Sequence, residues 1–485
     1  MPNIQKILLM QIHYTHNRCI PLSIAYIAAV LEKEGYSVEV YDPLPYEEYD
    51  IERKIVDFKP DIVGISCMSA TFNKALGIAK RIKHANKNIP IVFGGIHVTA
   101  LPKESLSNIA IDYVIIGEGE YTFLDLIKAV NNNEPLSKVK GLAYKKDNDV
   151  FVNEPRPLIQ NLDELPLPAR HLFPRWYFMR WMVMRGQWLN GTNMMSSRGC
   201  VYDCSYCASK VMFGRQVRFI SPLKVVDEIE HLAKDYKIKA IAFSDDTFSL
   251  NEARAIEICS EIIRRKLNKK IKFRVQLRAN TASDSLLKNL KEAGCIQVDI
   301  GVESGSQRIL NLLNKAITVR QVRNAFSLFK KYNLNTCATF MIGNPTETTE
   351  EIELTRKLAK EINADYTQFF ITTPYPGTKL YNDLSLNFND LNFNLLHHGG
   401  VELKSYVNSK IPAEQLTRLQ QELNNEFLKK SGLKMMLKPL LIYDTILLAL
   451  QQPSLVKDAI VKAYKTKKIV ELYRTFYEGH NFRRF

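Results

Sequence analysis

The chain opens with a short apolar run, "KILLMQI", followed by the periodic segment "PLSIAYIAAVLEKEGY" and a second run, "SVEVYD". The alternation continues through "KPDIVGISCM", "FNKALGIAKRIKHANK", "IPIVFGGIH", "IDYVIIGEGE" and "YTFLDLIKAV". Apolar runs that do not alternate, separated by amphipathic helices, predict a parallel sheet covered on both faces. Such a sheet binds ligands beyond the carboxyl ends of its strands. Those ends carry Ser69 and Thr71, then Gly94 and Gly95, then Gly117, Glu118 and Gly119. Small residues let a large flat ligand approach the backbone, although glycine after a strand also serves ordinary turns.

From about residue 190 the pattern changes scale. The strand-like "GTNMMSS" is followed by the amphipathic "PLKVVDEIEHLAKDY" and then "IKAIAFSDDTFS". After these come "KIKFRVQLRAN", "CIQVDIGVESGS", "NTCATFMIGNPTET" and "DYTQFFITTPYPGT". Eight strand–helix units close a barrel; these six predict a partial one, with polar residues at the strand ends. "VKGLAYKKDNDVFVNEPRPLIQNLDELPLPAR" reads as a connector between the two regions. The last part of the chain has helical periodicity, broken at Pro439 and Pro453.

Composition narrows the class. At 485 residues and 46% hydrophobic content the chain is globular, with room for two domains and an appendage. The opening "MPNIQKILLMQIHYTH" holds too short an apolar run for a secretory signal. Five cysteines (Cys19, Cys67, Cys259, Cys295 and Cys337) stand singly among apolar residues. Reduced, buried thiols of a cytosolic protein look like this.

Charge is uneven: residues 428–485 hold twelve Lys or Arg against four Asp or Glu, a net of +8 out of +15. A basic patch invites a nucleic-acid reading, but no nucleic-acid motif accompanies it. An anionic membrane surface, a negatively charged substrate or a solvated helical face fits as well. Lys438, Pro439 and Asp444 interrupt the apolar run there, which is too short and polar to span a bilayer. An amphipathic surface helix and simple docking against the barrel both remain open. "RWYFMRWMVMRGQW", residues 175–188, holds all three tryptophans and three arginines. It is either a packed strut or an aromatic, cationic wall for substrate.

The remaining three cysteines stand together in "SSRGCVYDCSYCAS", where Cys200, Cys204 and Cys207 have the spacing C-x3-C-x2-C. Structural zinc needs four closed ligands, and a second pair is missing. A disulfide framework is disfavoured in a reducing compartment. Three thiolates on a cubane iron–sulfur cluster leave one iron open, which reductive chemistry on a sulfonium needs.

With this spacing, and Tyr206 just before the last cysteine, residues 190–395 resemble the radical S-adenosylmethionine superfamily. The resemblance implies that Cys200, Cys204 and Cys207 ligate a 4Fe–4S cluster whose fourth iron takes the amino and carboxylate groups of S-adenosylmethionine. Tyr206 would lie near the adenine. "SDDTF" stands where many relatives have a Gly-Gly-Glu run, which assigns Asp245 and Asp246 to the methionine amino group. Arg278 would pair with the carboxylate through its planar fork. "VESG" resembles the ribose-contacting strand, through Glu303 and Ser304, and "IGNPTET" the motif beside the adenine, through Gly343 and Pro345. The sequence singles out no further catalytic residue.

Residues 5 to about 135 resemble the cobalamin-binding domain fused ahead of many such barrels. The implied layout is α/β: a doubly wound, Rossmann-like cobalamin domain over 1–135, a linker over 136–189, a partial (β/α)6 radical SAM barrel over 190–395, and a helical region over 396–485. Ser69, Thr71, Gly94, Gly95, Gly117, Glu118 and Gly119 would form the cobalamin-binding edge. No Asp-x-His-x-x-Gly run is present, so the resemblance implies base-off cobalamin without a protein histidine ligand.

"FSDDTFS" and "GVESGSQRIL" are similar to the group containing anaerobic magnesium-protoporphyrin ester cyclases and hopanoid or other lipid-modifying enzymes. The expectation is an enzyme that cleaves S-adenosylmethionine to a 5′-deoxyadenosyl radical. It would methylate, oxidise or cyclise an unactivated carbon of a lipid, polyprenoid or tetrapyrrole. An electron donor such as flavodoxin or ferredoxin would serve it, in the cytoplasm or peripherally at a membrane surface, with no nucleic-acid partner.

The main alternative is a radical SAM enzyme of the same fold without cobalamin. An RNA methylthiotransferase would need more first-domain cysteines than Cys19 and Cys67, and a basic β-domain at its end. A protein that only carried the cluster would not need the strand-end residues around it.

Overall fold

A computed structural model of the chain describes residues 3–12, 19–42, 50–147, 149–178, 182–184, 187–384 and 410–436. Its residues fall in two compact units, one drawn from 1–177, 194–224 and 373–406, the other from 178–193, 225–372 and 407–485.

The first unit is built on β1 (Lys6–Gln11), β2 (Ser37–Val40), β3 (Ile62–Ser66), β4 (Ile91–Gly94), β5 (Tyr113–Ile115), β6 (Leu142–Lys146) and β7 (Asp149–Val152). They form one sheet of order β2-β1-β3-β4-β5-β6-β7. The first five run parallel and the last two antiparallel. Ile7, Leu8, Leu9 and Met10 are all buried, so β1 is covered on both faces, as its unbroken apolar run requires. The helices are α1 (Leu22–Lys33), α2 (Ile51–Phe58), α3 (Phe72–Ala85), α4 (Ile96–Ala100), α5 (Pro102–Leu106) and α6 (Glu120–Asn131). Strand order reverses between β1 and β3, the place where such sheets open a crevice.

The connector expected from the sequence contains the β6–β7 hairpin, which extends this sheet. Leu142 and Ala143 are buried beside β5, and Tyr144 stacks on its cross-strand partner Phe151 at 5.5 Å. Lysines and aspartates at the turn hide this pattern in the sequence.

A short pair, β8 (Met182–Met184) and β9 (Gln187–Leu189), precedes β10 (Gly191–Met194). Then β11 (Ser197–Arg198) pairs antiparallel with β12 (Arg218–Phe219), bracketing the cysteine loop and helix α7 (Ser209–Phe213). The second sheet joins β10 to β13 (Ala240–Phe243), β14 (Lys272–Leu277), β15 (Cys295–Glu303), β16 (Asn335–Ile342) and β17 (Tyr366–Ile371) in sequence order. From β13 onward the neighbours are parallel, so the six strand–helix units of the sequence are present. Between and after the strands run α8 (Pro222–Asp235), α9 (Glu252–Arg264), α10 (Asp284–Glu292), α11 (Gln307–Leu312), α12 (Val319–Lys331) and α13 (Thr349–Ile362). Asn251, Ser283, Ser306 and Thr318 each accept from the backbone N–H three residues on, which fixes where α9 to α12 begin.

After α14 (Lys379–Asp383) comes α15 (Ala413–Met436), which docks on the edge strand β17. Asn424 Oδ1 accepts from the Phe369 N–H at 2.9 Å, while Asn424 and Gln420 donate to the Phe369 carbonyl at 3.0 and 3.2 Å. An unpaired edge invites pairing with another chain; here side-chain amides occupy it. The basic tail beyond Met436 and the tryptophan side chains of 175–188 lie outside the described residues. Among the described residues no helix is long and apolar enough to cross a membrane.

Candidate functional site

A crevice partly open to solvent lies at the carboxyl ends of β1, β3, β4 and β5. Gly94, Gly95, Gly117, Glu118 and Gly119 line it, together with Ser66. A methyl group on Gly94 or Gly117 would meet nothing within 4 Å, so the floor at these two points is bare. Gly95 is different: with φ of 97°, its added methyl would sit 2.5 Å from the Cys67 carbonyl oxygen. Bare backbone at Gly94 and Gly117, in a lining that also holds apolar Ile24 and Ile27 of α1, fits the close approach of a large flat macrocycle.

The structure does not bring Ser69 and Thr71 to this wall. Ser69 is buried with its hydroxyl 3.2 Å from His97 Nδ1, and Thr71 Oγ1 bonds the backbone N–H and carbonyl of Met68. The completely buried His97 stacks on Phe72 at 4.1 Å, and burial pushes its pKa down to about 3.

The opposite wall is made by Met195, Arg198, Met212 and Phe213, which flank the cysteine loop on both sides. Loop and crevice thus belong to one unit. Gly199 opens the loop with φ of 86°, and any methyl there would meet the Gln216 carbonyl at 2.2 Å. The Cys207 N–H donates to the Cys204 carbonyl at 3.2 Å, and the Leu380 N–H to that of Ser205 at 2.8 Å. Asp203 accepts from Lys210 at 2.6 Å. Cys204 is buried, while Cys200, Cys207 and Tyr206 are half-buried.

Among the described residues no three His, Cys, Asp or Glu side chains gather as around a single ion. A cubane takes each thiolate on a separate iron, so it does not need three donors gathered around one ion. All eight cysteines are free of disulfides. Burial pushes the thiols of Cys259 and Cys337 up to about 12 and raises those of Cys67 and Cys295, which makes these four poor ligands.

Glu118, Glu120 and Arg198 of the crevice lining belong to a buried ionic cluster that the sequence pattern does not reveal. Glu118 accepts from Arg198 and Arg218 at 2.7 Å each, and Glu120 accepts the other arm of Arg198 at 2.7 Å. Burial opposes the charge on Glu118, but the two guanidinium groups outweigh it and hold the carboxyl below its usual range.

In the second unit the expected S-adenosylmethionine residues stand at strand ends. Asp245 is buried and Asp246 exposed after β13. Arg278, after β14, donates to the Lys315 carbonyl, and Glu303, ending β15 with φ of 67°, accepts from Lys315 Nζ at 2.8 Å. Lys315 therefore joins Arg278 to Glu303; a single lysine in "NLLNKAIT" carried no signal of this. Ser304 is buried, its hydroxyl 3.2 Å from that of Thr355 and accepting the Ser306 N–H at 3.1 Å. Its hydroxyl is thus engaged inside the fold. Gly343 has φ of 76°, with Leu416 of α15 packed where a side chain would go, and Pro345 is half-buried. The buried Glu347 accepts from the backbone and side-chain N–H groups of Asn344, and burial pushes its pKa up to about 7.

Two family models match the two regions: the B12 binding domain over residues 12–127 and the Radical SAM superfamily over 194–359. An uncharacterized methyltransferase of Pyrococcus horikoshii is 37% identical over 88% of this chain and 90% of its own length. The anaerobic magnesium-protoporphyrin IX monomethyl ester cyclase of Rubrivivax gelatinosus is 31% identical over 75% of this chain and 66% of its own. Among solved structures, the radical S-adenosylmethionine methyltransferase TsrM from Kitasatospora setae matches with a TM-score of 0.67. It is 20% identical, over 79% of this chain and 78% of its own. The chain belongs to the radical S-adenosylmethionine enzymes that carry a B12-binding domain ahead of the radical SAM domain.

Proposed function

We propose that this enzyme uses cobalamin and a 4Fe–4S cluster together to modify an unactivated carbon of a hydrophobic substrate. Methyl transfer is the favoured outcome, because the relative that matches along most of its length is named a methyltransferase. Oxidation or ring formation is the second reading, favoured by the cyclase relative. When bound, the reduced cluster supplies the electron that breaks the sulfonium bond of S-adenosylmethionine, and cobalamin supplies the methyl carrier.

The rest of the work falls to the chain's own side chains. Cys200, Cys204 and Cys207 hold the cluster and Tyr206 borders the adenine. Lys315 and Arg278 offer cations to the methionine carboxylate, Asp245 and Asp246 offer carboxylates to its ammonium, and Glu303 borders the ribose. Gly94, Gly95, Gly117 and Gly119 would hold the corrin, and Met195, Met212 and Phe213 would keep water from the crevice. The substrate is a lipid, polyprenoid or tetrapyrrole, in keeping with the tetrapyrrole in the cyclase's name. A flavodoxin or ferredoxin is the electron donor.

The observation that carries this reading is the glycine-floored crevice whose far wall is formed by the flanks of the C-x3-C-x2-C loop. The test is anaerobic reconstitution of wild type and of Cys200→Ala/Cys204→Ala/Cys207→Ala. The variant should lose iron–sulfur absorbance and all S-adenosylmethionine cleavage yet still take up hydroxocobalamin with a base-off spectrum. A cubane spectrum retained in the triple variant would overturn the assignment.

A further inference from the structure

No step above uses the ionic cluster of Glu118, Glu120, Arg198 and Arg218. Its four side chains are 6% exposed or less, and their charges cancel. Arg198 stands two residues before Cys200 and pairs in register with Arg218 across β11 and β12. The chain therefore enters and leaves the cysteine segment through this pair.

Both guanidinium groups converge on one carboxylate. Glu118 Oε1 accepts from Arg198 and Oε2 from Arg218, and Oε2 also accepts the Ile159 N–H at 2.8 Å. Arg218 donates further to the Ile159 carbonyl at 2.7 Å. Arg198 lies 5.0 Å from the Tyr26 ring centroid and Arg218 5.6 Å from that of Phe213, the crevice-wall residue. Glu118 itself sits between Gly117 and Gly119 in the crevice floor.

Buried ion pairs add little stability over apolar packing of equal volume. What they supply is fixed direction, through several charge-assisted bonds that must form together. We propose, on the reading given above, that Glu118 is a positioning residue that locks the cysteine loop to the floor of the corrinoid crevice. The order of residues 199–213 and occupancy of the crevice are then coupled through its carboxylate. Its side chain accepts from both arginines, and the residue itself belongs to the crevice lining.

The test compares full-length wild type, Glu118→Gln and Arg218→Met by hydrogen–deuterium exchange of residues 199–213, with and without hydroxocobalamin. Iron release to a chelator from the reconstituted proteins gives a second readout. In wild type, hydroxocobalamin slows both exchange and iron release. Glu118→Gln loosens the cysteine loop whether or not corrinoid is bound. Its loop exchanges at least about tenfold faster, and corrinoid no longer slows it. Arg218→Met, which removes one arm only, shifts the loop in the same direction and serves if Glu118→Gln does not fold.

Loss of corrinoid binding with wild-type loop exchange would make Glu118 a direct contact and overturn the proposal. Unchanged exchange in both variants would also overturn it. If wild type takes up no corrinoid, the proposed function fails; faster loop exchange in the variants would still support the clamp itself.

Discussion

Gly94 and Gly95 are neighbours under different constraints. Gly95 has a left-handed backbone and the Cys67 carbonyl against it, so Gly95→Ala should destabilise the protein by more than about 1 kcal/mol. Gly94 has neither, and a side chain there projects into empty crevice. Gly94→Phe should therefore keep the wild-type melting temperature and lose hydroxocobalamin binding, read as the absence of corrinoid absorbance after desalting. Normal uptake by Gly94→Phe would mean that the corrinoid does not lie on this floor.

Glu347 offers a residue-scale test of a different kind. Folded, it keeps its proton up to about pH 7, whereas its ordinary pKa is 4.5. Between these values the unfolded chain binds fewer protons, so stability is full below about 4.5 and falls as pH rises toward 7. Urea unfolding of Glu347→Gln should show a flatter profile across that window. A wild-type slope in the variant would remove Glu347 as the cause. At this scale the cysteines were legible because C-x3-C-x2-C is a local pattern. Lys315 and the Glu118 cluster were not, because their partners are distant in sequence: Arg198 and Arg218 lie 80 and 100 residues from Glu118.

Among the elements, the first sheet was legible because its buried parallel strands write unbroken apolar runs. The second was legible because six strand-like segments precede helices in order, although β14, β16 and β17 alternate buried positions with half-buried or exposed ones. The β6–β7 hairpin was hidden, since its buried positions stop at Leu142, Ala143 and Tyr144 and β7 is exposed or half-buried throughout. The docking of α15 was hidden for another reason: it depends on amides at positions 420 and 424 meeting one residue of β17. Asn424→Ala strips the Phe369 N–H of its acceptor and should cost about 1–3 kcal/mol in unfolding free energy. Asn424→Gln should not restore it, because the longer side chain misplaces both bonds. Stability unchanged in Asn424→Ala would show that the apolar contacts of Leu416, Leu423 and Phe427 hold the helix alone.

For the whole molecule, the net +8 of residues 428–485 fits an anionic surface or a solvated helical face, and vesicle binding separates the two. Full-length protein should float with liposomes of anionic lipid at low salt and less so at moderate salt, while a chain ending near Lys430 should not. If both stay in the soluble fraction, the tail has no part in reaching substrate. The central claim is that one chain carries both cofactors, and it is tested most directly by chemical analysis of a single anaerobically reconstituted sample. Iron, sulfide and extracted corrinoid are measured per chain after desalting. The account predicts about four irons, about four sulfides and about one corrinoid. Iron and sulfide at that level with no corrinoid, in protein that melts cooperatively, would contradict it.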